Sequence, residues 1–143
     1  MAIEWRDSAD LVDWAELSEM YRLAPLGNKS PAWLEKAFSN SMFKCFAYED
    51  GAVVAAGRAV ADGVDCSYLC DIAVHPAHQG RGLGKQVIQR LVDRSRGHRK
   101  ILLYAVPGKE PFYAAFGFRR MRTAMAIFEN PGQAAADGYT DPA

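Results

Sequence analysis

The stretch from Asp71 to Arg94, DIAVHPAHQGRGLGKQVIQRLVDR, constrains this chain more than any other. It begins as an alternating apolar run, is interrupted at His75-Pro76, and then crosses three glycines spaced two residues apart. After the glycines, apolar residues recur at helical spacing and would form one stripe of a helix: Leu83, Val87, Ile88, Leu91 and Val92. The sequence therefore predicts a strand, a glycine-rich turn and an amphipathic helix in immediate succession.

This order of elements creates a place where an anion can bind. The first backbone N–H groups of a helix lack intrahelical partners and carry the positive end of the helix dipole. Gly80, Gly82 and Gly84 allow the backbone to turn sharply and to approach an anion closely. Arg81 and Lys85 add positive charge. We therefore predict a diphosphate-binding turn, the alternative being a turn that needs its glycines only for backbone geometry.

Two common diphosphate motifs do not match this stretch. A P-loop ends in Gly-Lys-Ser/Thr, whereas Lys85 is followed by Gln86. A dinucleotide-binding fingerprint requires G-x-G-x-x-G and an acidic residue at the end of the next strand. Here the glycines run G-x-G-x-G, and the next predicted strand, Lys100–Val106, is followed by Pro107-Gly108.

The glycine turn resembles a different family. Residues Gln79–Gly84 are similar to the Q/R-x-x-G-x-G/A signature of the GCN5-related N-acetyltransferases, the GNAT family. Val74-His75-Pro76 resembles the V-x-P lead-in of that family, and Phe112–Phe118 resembles its F-Y-x-x-x-G-F segment. The motifs occur in the family's order and spacing, and the resemblance extends from about Phe43 to Phe128.

The remaining elements follow from apolar periodicity and turn residues. Glu49-Asp50-Gly51 would join two strands into an antiparallel hairpin, and the strand–helix–strand unit around the glycine turn would make a parallel pair. The predicted strands are Ala2–Trp5, Met42–Glu49, Ala52–Ala61, Asp65–His75, Lys100–Val106 and Phe118–Phe128. The predicted helices follow Asp10 and Ser30 as N-caps, the glycine turn, and Pro107-Gly108, the last helix spanning Glu110–Phe116.

The resemblance implies the fold class that these elements suit. It is the α/β (α+β) GNAT fold, a mixed and mostly antiparallel central sheet with a splayed parallel strand pair, flanked by about four helices. Residues 1–129 would form one domain, and residues 130–143 a tail that is flexible or packed on a partner. Within Asp65–His75, strict alternation assigns these side chains to one face of the sheet: Cys66, Tyr68, Cys70, Ile72 and Val74.

The resemblance also implies acetyl-CoA as the co-substrate and a set of residues that bind it. Its pantetheine arm would enter the gap between the splayed strands. The implied coenzyme-binding residues are Ile72, Ala73, Val74, Gln79, Gly80, Arg81, Gly82, Leu83, Gly84, Lys85 and Phe112. The asparagine that many members carry before the F-Y segment is absent here, and Lys109 is a candidate for a phosphate contact instead.

Transfer of an acetyl group to an amine requires a neutral amine, a stabilised oxyanion and a proton for the leaving thiolate. Tyr113 stands where the family places its general acid, and the backbone N–H of Val74 or a neighbour would hold the oxyanion. Asp71, on the central strand, is the candidate base, acting directly or through water. Purely structural roles for both side chains remain the alternatives, and weaker candidates for the base are Glu110, His75 and Tyr68.

Composition narrows the partners. The 143 residues carry 17 basic and 17 acidic side chains, which disfavours a general nucleic-acid surface. Three cysteines without C-x-x-C spacing indicate reduced thiols and no metal site. The chain shows no long apolar run and no secretory signal at its N-terminus, so we expect a cytoplasmic protein without membrane contact. A homodimer is expected from base rates and family habit.

The leading hypothesis is an acetyl-CoA-dependent N-acetyltransferase acting by direct transfer in a ternary complex. Its acceptor would be a primary amine of a small molecule: an arylalkylamine, a polyamine or an amino-acid-like compound. The alternatives are acetylation of a protein or antibiotic amine, a non-catalytic acyl-CoA sensor or interaction module, and a nucleotide-binding protein. Early helical residues wall the acceptor site in the family, so Trp33, Leu34 and Phe38 are candidates for that wall or for the core.

Overall fold

A computed structural model describes residues 2–142 of the chain. The described residues form two compact units, 2–103 and 104–142. The terminal residues Met1 and Ala143, which fall in the predicted domain and tail, lie outside the described residues. The division of the chain into a domain at 1–129 and a tail at 130–143 stays a prediction.

The first unit is a five-stranded sheet with helices packed on it. Its strands follow the order β1-β2-β3-β4-β5, antiparallel except for the parallel pair β4–β5. This confirms the predicted mixed sheet and the predicted hairpin. The strands are β1 Glu4–Arg6, β2 Phe43–Glu49, β3 Ala52–Ala61, β4 Cys66–Val74 and β5 Lys100–Leu102, and the helices are α1 Trp14–Leu23, α2 Pro31–Ser39 and α3 Leu83–Ser95, with a 3₁₀ turn at Pro76–His78.

The two N-terminal helices begin where their caps allow. Ser30 accepts a hydrogen bond from the N–H of Trp33 at 3.1 Å, and Pro31 is the first residue of α2, as predicted. The prediction of Asp10 as the cap of α1 is wrong, because Leu11 has a φ of 64° and cannot start a right-handed helix. Asp13 caps α1 instead, accepting from the N–H of Glu16 at 3.1 Å.

Each face of the sheet has its own packing. Helices α1 and α2 enclose an aromatic core in which the ring centroids of Phe38 and Phe46 are 5.1 Å apart. Helix α3 packs on β3 at Gly57, where an added Cβ would lie 2.7 Å from both Ile72 and Val87. The neighbouring residue, Ala56, belongs to the core formed with α1 and α2. Because successive strand residues point to opposite faces, α3 lies on one side of the sheet and the α1–α2 pair on the other.

A β-bulge in β4 changes which side chains share a face. Ala56 pairs with Ala73 and Arg58 with Cys70, so Gly57 alone stands opposite two residues of β4. Before the bulge Ser67 contacts α3, and after it Ile72 does. The predicted face of alternating residues from Cys66 to Val74 is therefore wrong beyond Cys70, because the extra residue reverses the alternation.

The second unit contains two short helices, α4 Glu110–Ala114 and α5 Pro131–Ala136. Helix α4 lies within its predicted range and is followed by Gly117 with a φ of 98°. The predicted strand Phe118–Phe128 is wrong, since these residues form no strand. Apolar alternation predicts a strand only where a neighbouring strand supplies hydrogen bonds, and here Met125 and Ile127 are fully exposed.

Two other predictions for the end of the chain also need correction. The strand predicted as Lys100–Val106 ends at Leu102. Helix α5, in the tail, has no counterpart among the predicted helices. Its N-cap is Asn130, whose side chain accepts a hydrogen bond from the N–H of Gln133 at 3.0 Å. Tyr139 packs against Phe128 with ring centroids 6.1 Å apart. Among residues 2–142, no helix combines the length and apolarity that a membrane crossing requires.

Candidate functional site

The glycine turn has the backbone conformation that an anion site requires. Gly80 and Gly82 have φ values of 81° and 78°, in the left-handed region that favours glycine. A Cβ at either position would meet no atom within 4 Å, so the backbone angle and not crowding demands glycine. Helix α3 begins directly afterwards at Leu83, and its cap residue Gly82 supplies no side-chain hydrogen bond. The first N–H groups of α3 are therefore available to a ligand.

Arg81, one of the two cationic side chains at this turn, is already paired. Arg81 donates to the two carboxylate oxygens of Glu49 at 2.5 and 3.2 Å, and its guanidinium lies 2.8 Å from Nδ1 of His78. The hydrogen bond from Arg81 lowers the pKa of Glu49. Lys85 is exposed on the first turn of α3. An anion that engages Arg81 would compete with Glu49 for the same donors.

Strand β4 continues beyond its parallel partner. Strand β5 pairs only with Cys66, Ser67 and Tyr68, the first third of β4. Within the first unit, the stretch 69–74 pairs with β3 alone and leads into the 3₁₀ turn and the glycine turn. Ile72, Ala73 and Val74, the predicted pantetheine contacts, thus lie on the part of β4 without a parallel neighbour.

Asp71 occupies the bulge of β4. Its φ of 55° is unusual for a residue other than glycine, and strained backbone of this kind is common beside functional sites. Tyr21 of α1 donates its hydroxyl hydrogen to the backbone oxygen of Asp71 at 2.5 Å. Burial raises the pKa of Tyr21 well above its ordinary value, so the hydroxyl stays protonated and can donate. The bulge is thereby tied to the α1–α2 side of the sheet.

The Asp71 side chain belongs to a cluster of charged groups on that side. Arg58 of β3 donates from Nε to Asp71 at 2.7 Å and from Nη1 to Ser41 at 3.2 Å. The ammonium of Lys29 lies 3.9 Å from the other carboxylate oxygen. Both cations approach the ring of Trp33, at 5.0 Å for Lys29 and 5.9 Å for Arg58. Hereafter Lys29, Trp33, Arg58 and Asp71 are called the Arg58 cluster.

Sequence reasoning found only part of this cluster. Asp71 was predicted as a base and Trp33 as a wall, whereas Lys29 and Arg58 follow no local motif. Of the three predicted wall residues, Trp33 is 46% exposed and free to face a ligand. Leu34 and Phe38 are fully buried and belong to the core.

Tyr113 and Phe112 lie on α4 of the second unit. The ring of Tyr113 packs at right angles to those of Phe112 and Phe118, with centroids 5.2 and 6.3 Å apart. Burial raises the pKa of Tyr113 above its ordinary value, so the phenol keeps its proton at neutral pH. The side chain is in the protonation state that a general acid requires.

Other titratable groups offer no competing centre within the described part of the chain. All three cysteines are free thiols, and burial raises the pKa of Cys45 to about 12 and that of Cys70 to about 11. Residues 2–142 contain no group of three His, Cys, Asp or Glu side chains able to hold a metal ion.

A surface depression of about 260 Å³ is lined by Ser18, Glu19, Arg22, Asn28, Lys29 and Ser30. It contains none of the predicted catalytic or coenzyme-binding residues.

A bulged strand, a glycine turn and a helix N-terminus without a side-chain cap thus follow one another, and backbone N–H groups in this arrangement are available to an anion. The model of the acetyltransferase (GNAT) family matches residues 9–118. The chain belongs to this family, as its motifs predicted.

The sequence comparison gives a relative of this family, and the structure comparison gives proteins of the same fold. The chain is 39% identical over 95 residues to the chloroplastic serotonin N-acetyltransferase 2 of Oryza sativa, covering 65% of this chain and 44% of that protein. It thus spans about half the length of this relative. An acetyltransferase, GNAT family protein from Streptococcus pneumoniae has the same fold, with a TM-score of 0.76, 21% identity, and 91% of this chain and 99% of that chain covered.

A second solved structure was determined with a ligand. It is a predicted acetyltransferase from Clostridium acetobutylicum, in complex with acetyl-CoA. Its TM-score to this chain is 0.65 at 18% identity, with 89% of this chain and 96% of that chain covered. This likeness is one of fold.

Proposed function

We propose that this protein is an N-acetyltransferase that moves the acetyl group of acetyl-CoA to a primary amine of a small molecule, by direct transfer in a ternary complex. The observation that carries the proposal is the glycine turn, which presents the uncapped N-terminus of α3 behind two left-handed glycines. Backbone N–H groups in this arrangement bind phosphate. The family match and the acetyl-CoA complex of the C. acetobutylicum protein support the same coenzyme.

The residues present fit the coenzyme. The N–H groups at the start of α3 would bind its diphosphate, and Lys85 and Arg81 would supply positive charge once Arg81 exchanges Glu49 for phosphate. Backbone groups of residues 72–74 would hold the pantetheine arm along the part of β4 that lies beyond its pairing with β5. The predicted coenzyme contact of Phe112, on α4, stays a proposal that rests on the family resemblance.

Acetyl-CoA supplies an activated thioester carbon. The neutral amine nitrogen would form a bond to that carbon and give up one proton, the carbon–sulfur bond would break, and the departing thiolate would take up a proton. Tyr113 is proposed as the donor because it matches the family's position and keeps its proton at neutral pH. Asp71 remains the candidate base, but accepting a proton would weaken its contacts to Arg58 and Lys29. The carboxylate is therefore also suited to orienting those cations.

The acceptor is proposed as a small amine because the similar rice protein is a serotonin N-acetyltransferase, and because Trp33 offers an exposed aromatic surface beside the two cations that pair with Asp71. A homodimer, a cytoplasmic location and the absence of a metal stay predictions.

The proposal is tested in two steps. Binding of acetyl-CoA should raise the melting temperature, whereas ATP and NAD should not, because only a ligand of the folded state stabilises it. Release of free coenzyme A thiol is then followed over a library of amines. Acetyl-CoA binding without transfer to any amine would favour the acyl-CoA sensor, and stabilisation by ATP or NAD instead would favour a nucleotide-binding protein.

A further inference from the structure

The Arg58 cluster carries more positive than negative charge. Arg58 and Lys29 each contribute one positive charge, and within the described residues their ion pairs are both with the single carboxylate of Asp71. Burial raises the pKa of Cys70 on the same side of the bulge to about 11, so its thiol adds no negative charge at neutral pH. Two positive charges therefore share one carboxylate, and among residues 2–142 no second acidic group pairs with either cation.

The cluster is enclosed but still reaches the surface. The side chains of Arg58, Lys29 and Asp71 retain 14%, 19% and 16% of their exposure. A charge in such a place is poorly solvated by water and is less screened than a surface charge, so an incoming anion would gain from pairing with it. Trp33 borders both cations and is 46% exposed. It can pack against the carbon skeleton of a ligand whose acidic group meets the cations.

A purely structural explanation accounts for only one of the two cations. Asp71 neutralises the mostly buried Arg58, which in turn donates to Ser41. Lys29 donates to the backbone oxygen of Leu26 at 2.8 Å, which helps to close the loop between α1 and α2. A neutral donor would serve that loop equally well. The structural explanation does not account for the positive charge of Lys29, because the carboxylate that it faces is already paired with Arg58.

The geometry points to an acceptor that bears a carboxylate or phosphate in addition to its amine, with Lys29 and Arg58 binding the acidic group. This inference rests on the proposed function and narrows its acceptor. Asp71 holds the two cations side by side, and Trp33 packs on the acceptor beside them. The net positive charge of the cluster disfavours polyamines, which one of the sequence-based hypotheses included.

The test uses pairs of acceptors that differ only in the acidic group. 5-Hydroxytryptophan is compared with serotonin, and glucosamine 6-phosphate with glucosamine, so the two pairs separate a carboxylate from a phosphate. With the intact protein, kcat/KM should be about tenfold higher or more for the acidic member of at least one pair. The Lys29→Gln variant should lower that preference roughly tenfold by raising KM for the acidic acceptor. It should change KM for acetyl-CoA and for the neutral acceptor much less than KM for the acidic acceptor.

Two further variants separate binding from a general effect. Lys36→Gln removes the same charge from an exposed position on α2 and should leave the preference intact. Lys29→Arg keeps the positive charge and should retain most of the preference for the acidic acceptor. If the lysine acted only by holding the loop, restoring its charge would not restore that preference. Melting temperatures establish that all three variants are folded.

Each outcome decides the inference. Equal or better use of the neutral amines, or an equal rise of KM for both members of a pair in Lys29→Gln, would overturn the acidic acceptor while the acetyltransferase stands. Acetyl-CoA binding without transfer to any amine would overturn the proposed function, and this inference with it.

Discussion

The glycine turn and the Arg58 cluster are both proposed to bind anions, but they would do so with different groups of the protein. The turn uses backbone N–H groups of a few successive residues, which two left-handed glycines help to present, and the side chains of Arg81 and Lys85 add charge to them. The cluster uses side chains from a loop, a helix and two strands, held together by the bulge in β4. The first site should therefore be sensitive to any added Cβ and the second to loss of particular charges. The predictions below test this contrast, from the largest expected effect to the smallest.

Removal of the Tyr113 hydroxyl should leave both binding regions intact and slow the chemical step. In Tyr113→Phe we expect kcat to fall about 10²- to 10⁴-fold, because the leaving thiolate loses its proton donor. The affinity for acetyl-CoA, measured by calorimetric titration, should not change. Tyr139→Phe removes a hydroxyl from another packed tyrosine of the same unit and should have no such effect. An unchanged kcat in Tyr113→Phe would exclude this residue as the acid.

A side chain at the glycine turn should abolish much of the coenzyme affinity. Gly82→Ala forces alanine into a left-handed conformation, which costs about 1–2 kcal/mol, so acetyl-CoA should bind about tenfold more weakly. Gly97 follows the other end of the same helix with a φ of 100° and equally open space. Gly97→Ala should cost similar stability in denaturant without affecting coenzyme binding. Equal loss of affinity in both variants would mean that helix stability, and not the turn, controls binding.

The pairing of Arg81 with Glu49 predicts a gain of function. In Glu49→Gln the guanidinium no longer has a competing carboxylate, so acetyl-CoA should bind roughly threefold more tightly at low salt. Glu19→Gln breaks a comparable arginine pair on α1 and should not alter the affinity. Weaker binding in Glu49→Gln would show that the carboxylate positions Arg81 for the phosphate.

The smallest effect concerns the loop that leads into β4. Backbone N–H groups of Asp65, Val64 and Cys66 donate to Asp62 and lower its pKa to about 2, from an ordinary value of 3.8. Because the pKa is lowered in the folded state, this stabilisation is present above pH 4 and is lost as the pH falls toward 2. Asp62→Ala should therefore be less stable than the wild type at pH 6, and the difference should shrink in acid unfolding followed by circular dichroism.

The same contrast explains what could be predicted from the sequence. The glycine turn, α3 and the hairpin are each formed by contiguous residues, so the order of residue types along the chain predicts them. The Arg58 cluster joins residues up to 42 positions apart, from Lys29 to Asp71, and no local pattern marks Lys29 or Arg58. The bulge that turns Asp71 toward them also reverses the strand alternation, so the predicted faces of β4 failed where the site begins.

The failed strand at 118–128 has a related cause. Its alternating apolar residues satisfied the local pattern, but a strand exists only with a partner, and sequence spacing does not supply one. In the same way, the N-cap of α1 depended on the left-handed Leu11, a backbone conformation that its residue type does not announce. Local sequence patterns predicted most of the helices and strands, but not the features that depend on tertiary contacts.

The central claim is that the N-terminus of α3 binds the diphosphate of acetyl-CoA. A crystal structure of the protein grown with acetyl-CoA tests it most directly. We expect diphosphate oxygens within about 3 Å of the backbone nitrogens between Gly80 and Gly84, with Arg81 released from Glu49. A diphosphate bound elsewhere on the protein, with the glycine turn unliganded, would contradict the account.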